Sequence, residues 1–133
     1  MTGKVKEVVD MMERRKVDML CVQETKWKGS KARNIGGGFK LFFNSVDGKR
    51  NGVGMILKED YSKRVVEVKR VSDRVLIVKL EVEGLMINVI SAYAPQVGCE
   101  MEENERFWIE LDEVVDGVPR NKRLVIGADF NGH

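Results

Sequence analysis

Two acidic side chains lie where short apolar segments of the sequence end. Glu24 follows the run at 19–22, and Asp129 follows the run at 124–128. Short apolar runs are typical of buried strands, and open sheets commonly bind ligands beyond their strand ends. Carboxylate oxygens suit Mg²⁺, a small, hard cation that is held by a few carboxylates together with water and phosphate. Glu24 and Asp129 are therefore candidates for a metal-dependent site.

Two further polar side chains occupy comparable positions. Asn131 follows Asp129 by two residues, so both point to the same side of an extended chain, and the amide could hold water or a phosphate oxygen. Tyr93 ends the strand-like run 87–93 and offers a phenol to the same rim. Each residue alone is more often a turn or packing residue, and only their combination indicates a functional site. His133, the last residue, is expected to be solvated.

The segments that must position these residues alternate between helical and strand-like patterns. Residues 2–16 and 102–115 have apolar side chains at helical spacing, and Gly117 and Pro119 are expected to end the second helix. This order predicts an α/β fold with mostly one mixed, largely antiparallel sheet and two flanking helices. Residues 25–38 are read as a loop, and the predicted strands are 18–24, 39–46, 52–58, 65–71, 74–82, 85–93 and 124–131.

The composition is that of one globular domain. The chain has 133 residues, of which 43% are hydrophobic and 33% charged, with a net charge of +2. No apolar run is long enough to cross a bilayer, and no secretory signal is recognisable. The two cysteines have no CxxC spacing, which argues against a zinc site or a disulfide scaffold. The sequence therefore predicts an intracellular protein, nuclear or cytoplasmic, with no membrane partner.

Three motifs follow each other along the chain: Q-E-T at 23–25, Y-A-P at 93–95 and G-A-D-F-N at 127–131. Their order resembles the endonuclease/exonuclease/phosphatase family, the DNase I-like enzymes. Further segments are similar to endonuclease domains of non-LTR retrotransposons of the RTE/BovB kind and to craniofacial development protein 2-like proteins; they are W-K at 27–28, F-F-N at 42–44 and S-D-R at 72–74.

The resemblance implies a four-layer α/β sandwich and a role for each motif residue. Glu24 matches the glutamate that binds Mg²⁺, for which Mn²⁺ can substitute. Tyr93 matches the tyrosine that contacts the scissile phosphate, and Asn131 matches an asparagine that contacts the same group. Asp129 matches the aspartate that orients or deprotonates the attacking water. The implied reaction is in-line attack of water on a phosphodiester.

The sequence also departs from the family pattern. The family has a strand before the first helix and a second half with another aspartate and a terminal Asp-His pair, and His133 does not match the catalytic histidine. Residues 1–133 are therefore expected to form an incomplete domain with little catalysis alone, because catalytic groups act non-additively. The second sheet is expected to be nearly absent, which would leave an apolar face for self-association.

A basic segment follows the Q-E-T motif, with charges for phosphates and one ring for base stacking: Lys26, Trp27, Lys28, Lys31 and Arg33. A solvated loop would have the same composition. Three functions stay open: a Mg²⁺-dependent DNA endonuclease, a non-catalytic remnant that binds nucleic acid or a protein partner, and a phosphatase- or sphingomyelinase-type member acting on a small phosphate ester. The basic segment favours a polynucleotide over the small ester.

Overall fold

The computed structural model describes residues 5–25, 29–45, 52–94, 101–118 and 123–129. Across these residues the chain forms three helices and eight strands in two four-stranded sheets. The elements in order are α1 (Val5–Arg15), β1 (Met19–Thr25), β2 (Gly29–Gly36), β3 (Phe39–Ser45), β4 (Gly52–Lys58), α2 (Glu59–Ser62), β5 (Val65–Arg70), β6 (Val75–Val82), β7 (Leu85–Tyr93), α3 (Met101–Asp116) and β8 (Arg123–Asp129).

The two sheets differ in strand direction. Sheet A has the order β1-β4-β3-β2 and is antiparallel throughout. Sheet B has the order β5-β6-β7-β8, in which the first three strands are antiparallel and β8 runs parallel to β7. Helix α3 connects β7 to β8, which is the connection that a parallel pair of neighbouring strands requires.

The α/β class is confirmed, but the expectation of mostly one sheet is wrong. Residues 29–36, read as a loop because they are polar, form the edge strand β2, where main-chain pairing with β3 matters more than apolar side chains. Strands β1, β3 and β4 pair among themselves and not with the hairpins of 65–93. The described chain therefore has two four-stranded sheets and not one.

Three apolar clusters hold four layers together. Val9 and Met12 of α1 pack on the outer face of sheet A, and Phe107 and Leu111 of α3 pack on the outer face of sheet B. Between the sheets, the inner faces pack on each other through Phe42, Val53, Met55, Leu57, Leu76, Val78, Leu80 and Val89. The order α1, sheet A, sheet B, α3 is the predicted four-layer sandwich, and the predicted uncovered inner face is wrong for the part of the chain described.

Two residues with positive φ shape the ends of elements. Helix α1 ends with Lys16 at φ 56°, and the hydrogen bonds Lys16 N to Glu13 O and Val17 N to Met12 O are those of a Schellman motif. The β6–β7 hairpin turns at Glu83 (φ 52°) and Gly84, as a two-residue turn between right-twisted strands requires.

Strand β8 differs from its prediction as a buried strand. In the described chain it pairs only with β7, at the edge of sheet B, and Val125 and Ile126 are about half exposed. An apolar run alone does not distinguish a central strand from an edge strand, because both have the same composition. None of the described helices is long and apolar enough to cross a membrane.

Candidate active site

Two hydrogen bonds between the sheets fix the relative direction of their strands. Arg70 Nε donates to Phe43 O at 3.3 Å, and Asn44 Nδ2 donates to Ser72 O at 2.6 Å. The later residue of β3 is therefore bonded to the later residue of the other segment, so β3 and β5 run in the same direction. Because of the strand pairing, β1 runs with β3, while β7 and β8 run with β5. The carboxyl ends of β1, β7 and β8 therefore lie at one end of the sandwich, here called the rim.

The three strands meet around Cys21. Its thiol hydrogen-bonds with the Ser91 side chain and the Gly127 backbone, and a Cβ added at Gly127 would overlap Cys21 Sγ. Ser91 Oγ, fully buried, donates to Gly54 O at 3.0 Å. Burial raises the pKa of the Cys21 thiol, while the hydrogen bonds with Ser91 and Gly127 lower it in part. Cys21, Ser91 and Gly127 therefore lie at the same height along their strands, here called the Cys21 level. The distance of a residue from the rim can be estimated by counting residues from this level.

Three of the predicted site residues lie just beyond that level. Tyr93 follows Ser91 by two residues, Asp129 follows Gly127 by two, and Glu24 follows Cys21 by three. At about 3.3 Å per residue, all three backbone positions lie within about 10 Å of the cluster on the same side. Tyr93 and Asp129 are register partners on neighbouring parallel strands, about 4.8 Å apart. The fold thus brings the three backbone positions to the rim; the side chains of Glu24 and Asp129 are outside the description.

The backbone at Glu24 is irregular. Gln23 pairs with Val53, and Thr25 pairs with Gly52, the adjacent residue of the antiparallel strand β4. Glu24 is therefore an extra residue in β1. Such a bulge bends a strand and re-aims a side chain, and bulges are common beside active sites. The predicted metal ligand therefore occupies a position at which the ladder of β1 and β4 is interrupted.

A turn that precedes β6 lies against Tyr93. Arg74 Nη1 donates to Tyr93 O at 3.3 Å, and the guanidinium carbon lies 5.5 Å from the centroid of the Tyr93 ring. The S-D-R segment at 72–74 carries a family resemblance, but its sequence alone does not identify Arg74 as a neighbour of Tyr93. The signal that could have found it is a short polar turn between two strand-like runs, followed 19 residues later by the predicted tyrosine.

Asn44 is a second neighbour of this turn that the sequence pattern does not identify. It lies at the carboxyl end of β3 and is only 7% exposed, and its side chain reaches across to the backbone of Ser72. A cleft of about 440 Å³ opens on the other side of this turn towards α3. The cleft has mixed charge, with lining residues Ser72, Asp73, Arg74, Glu102, Arg106, Phe107 and Glu110.

Two of the remaining predicted residues lie in the described part of the chain. Lys31 and Arg33 lie on strand β2 and not in the predicted loop; Arg33 is exposed and pairs with Leu41. The start of β2 is near the rim, because Gly29 pairs with Ser45 at the carboxyl end of β3. Lys31 and Arg33 then lead away from the rim along the strand. The other predicted positions, Asn131, Lys26, Trp27 and Lys28, are outside the described residues, as is His133.

The candidate metal ligands at the rim are oxygen donors. In the ranges that the structure covers, no group of three or more His, Cys, Asp or Glu side chains is arranged to hold a metal ion. The carboxylates of Glu24 and Asp129 are hard oxygen donors, which fit Mg²⁺ or Mn²⁺ and do not fit a thiophilic metal. The donor chemistry of the rim therefore fits the predicted ion.

The sequence model of the endonuclease/exonuclease/phosphatase family matches residues 1–133. The chain belongs to this family. Its members typically use divalent metal ions, in agreement with the oxygen donors at the rim.

Similar proteins extend the comparison. Craniofacial development protein 2 of Bos taurus is 28% identical over 129 residues, which are 97% of this chain and 22% of that protein. The fold is similar to a humanised D. rerio TDP2 (TM-score 0.71, 11% identity, 98% of this chain and 56% of that one). It is also similar to the endonuclease domain of TRAS1, a telomere-specific non-LTR retrotransposon (TM-score 0.67, 16% identity, 94% and 52%). The chain thus spans about half of these structures and about a fifth of the curated relative.

Proposed function

We propose that residues 1–133 contribute the Glu24, Tyr93, Asp129 and Asn131 part of a Mg²⁺-dependent phosphodiesterase site that acts on DNA, as a retrotransposon-type endonuclease. The observation that carries this proposal is the common rim of β1, β7 and β8. Tyr93 and Asp129 are neighbours there in the β7–β8 register, and Glu24 lies on the strand that faces them across Cys21 and Gly127. Family membership supplies the reaction class.

In the proposed mechanism, water attacks phosphorus in line with the leaving oxygen. A bond from the water oxygen to phosphorus forms as the ester bond breaks, and the leaving oxygen takes a proton from solvent. Asp129 orients the water and accepts its proton, while Tyr93 and Asn131 donate hydrogen bonds to the phosphate oxygens. Mg²⁺ held by the Glu24 carboxylate would supply positive charge against the charge that develops in the transition state.

Two features support DNA as the substrate. The TRAS1 structure is an endonuclease domain from a retrotransposon, and it shares the fold of this chain. The basic segment that follows Glu24 enters β2 at Gly29, which lies at the rim beside the end of β3. Cations there would neutralise backbone phosphates next to the proposed site, and Trp27 would supply a surface for base stacking.

Residues 1–133 are proposed to supply part of the site and not all of it. The chain spans 52% of the TRAS1 domain structure, and we propose that it corresponds to the N-terminal half of such a domain. Catalytic groups act together, so hydrolysis by 133 residues alone is expected to be slow compared with that of a whole domain. Metal and DNA binding at the rim depend on fewer groups and are expected to persist.

The test is nicking of supercoiled plasmid in Mg²⁺, with EDTA as the metal-free control. Slow nicking is expected, and it should be lost in Glu24→Ala. Glu67→Ala is the matched control, because Glu67 is an exposed glutamate on β5, away from the rim, and should leave nicking unchanged.

The other outcomes separate the alternatives. Mg²⁺-dependent DNA binding that Glu24→Ala weakens, without nicking, would favour a non-catalytic binding protein. Hydrolysis of a small phosphate ester without action on DNA would favour a phosphatase-type member. A folded protein with neither nicking nor Mg²⁺-dependent DNA binding would overturn the proposal.

A further inference from the structure

The turn that precedes β6 is tied to three other parts of the fold through Ser72. The carbonyl of Ser72 accepts from Asn44 Nδ2 of sheet A at 2.6 Å, and Ser72 N donates to Val75 O at 3.2 Å. Ser72 Oγ donates to Glu110 Oε1 of α3 at 2.6 Å and accepts from Arg74 N at 3.1 Å. Sheet A, sheet B and α3 thus converge on one residue, which fixes the backbone from which Arg74 projects.

Arg74 contacts Tyr93 in three ways. Tyr93 N donates to Arg74 O at 2.9 Å, and Arg74 Nη1 donates back to Tyr93 O at 3.3 Å. The guanidinium lies 5.5 Å from the centroid of the Tyr93 ring, within the range of a cation–π interaction. Both the main chain and the ring of Tyr93 are therefore held by one side chain and its backbone.

Tyr93 lies one residue beyond the last β6–β7 register pair, Val75 with Ala92, and is the register partner of Asp129 on β8. On the β6 side, the hydrogen bond from Tyr93 N to Arg74 O continues the main-chain pairing by one residue. A tyrosine that must present its hydroxyl to a phosphate needs a fixed backbone and a fixed ring plane, and neighbours that supply both are the usual means.

We propose that Arg74 is a positioning residue for Tyr93, and that the hydrogen bonds of Ser72 hold Arg74 in place. This inference rests on the proposed contact of Tyr93 with the scissile phosphate. Arg74 acts through the main chain and the ring of Tyr93 and not by touching the substrate. Its planar fork is essential, because a lysine ammonium keeps the charge but cannot both stack on the ring and donate with the same geometry.

The test uses the ring of Tyr93 directly. The chain has two tyrosines, so in a Tyr61→Phe protein the ¹H–¹³C spectrum of labelled tyrosine reports Tyr93 alone. Arg74→Lys and Arg74→Gln are both expected to shift and broaden the Tyr93 ring signals, because lysine lacks the planar fork and glutamine lacks the charge that lies near the ring. Arg70→Lys is the matched control, since Arg70 also donates to a backbone carbonyl but contacts Phe43 and not the Tyr93 ring. Unchanged Tyr93 signals in both Arg74 variants, with folded amide spectra, would overturn the inference.

A second readout separates positioning from substrate contact. Arg74→Lys is expected to lower the initial rate of plasmid nicking in the parent protein but to lower it no further in Tyr93→Phe, since both changes act through one group. A multiplicative loss in the double variant would overturn the inference by showing that Arg74 acts on the substrate itself. Failure of the proposed function is recognised separately, because the ring measurement requires no catalysis and decides the positioning role by itself.

Discussion

Single residues at the sheet interface decide how closely the strands that carry the site can approach. Gly127 on β8 lies against Cys21 on β1, and any side chain at Gly127 would occupy the space of the thiol. Glycine is required at this position for space and not for an unusual backbone angle, since its φ is not positive. The G-A-D-F-N motif thus begins with a residue that allows Asp129 to approach β1.

The consequence is a measurable coupling between Gly127 and Cys21. Gly127→Ala places a methyl group 3.0 Å from Cys21 Cβ and into its sulfur, and is expected to lower the free energy of unfolding by about 1–3 kcal/mol, as overpacking does. In Cys21→Ala the sulfur is gone, so the double variant is expected to be more stable than the sum of the two single effects. Urea unfolding of the four proteins measures this. Purely additive changes would show that the two residues are not in contact.

Element ends show where the local sequence does not match the backbone that the fold requires. Helix α1 must stop so that the chain can enter β1, and it does so with Lys16 in the left-handed region, where glycine is the usual residue. Lysine there carries a steric cost that the two Schellman hydrogen bonds and the packing of Val17 on sheet A must offset. The stop therefore combines local capping hydrogen bonds with packing on sheet A, at a position where the residue type does not favour the backbone angle.

Replacing this lysine gives a prediction with a definite sign. Lys16→Gly removes the steric cost and is expected to raise the free energy of unfolding by about 0.5–1 kcal/mol. Arg14→Gly, two residues earlier in the exposed last turn of the same helix, is expected to lower it by about 0.5–1 kcal/mol. Thermal or urea unfolding compares the two. Destabilisation of similar size in both variants would contradict the positive φ at Lys16.

For the whole molecule, the sequence contained most of the elements and little of their arrangement. The helix and strand patterns of 65–93 and 102–115 are local, and the structure has them close to the predicted bounds. The edge strand β2 was missed because residues 29–36 are polar, and main-chain pairing leaves no trace in composition. The division into two sheets was missed because it depends on contacts between distant segments, such as β1 with β4.

The site followed a similar pattern. Glu24, Tyr93 and Asp129 stood out because each ends an apolar strand, and the fold brings their backbone positions to one rim. The parallel pairing of β7 with β8 follows from the order strand, helix, strand, while the register that places Tyr93 opposite Asp129 is seen only in the assembled sheet. Arg74 and Asn44 could not be ranked from sequence, because their role depends on contacts across the sandwich that only the assembled sheets create.

The measurement that tests the rim most directly is paramagnetic broadening by Mn²⁺, used in place of Mg²⁺, in amide spectra of the ¹⁵N-labelled chain. We predict that small additions broaden the amides of Glu24, Tyr93 and Asp129 first, and leave Leu85 and Arg123, at the opposite ends of β7 and β8, unaffected. Glu24→Ala should abolish the effect. Broadening centred away from the carboxyl ends of β1, β7 and β8, or broadening that is unchanged in Glu24→Ala, would contradict a shared metal site at the rim.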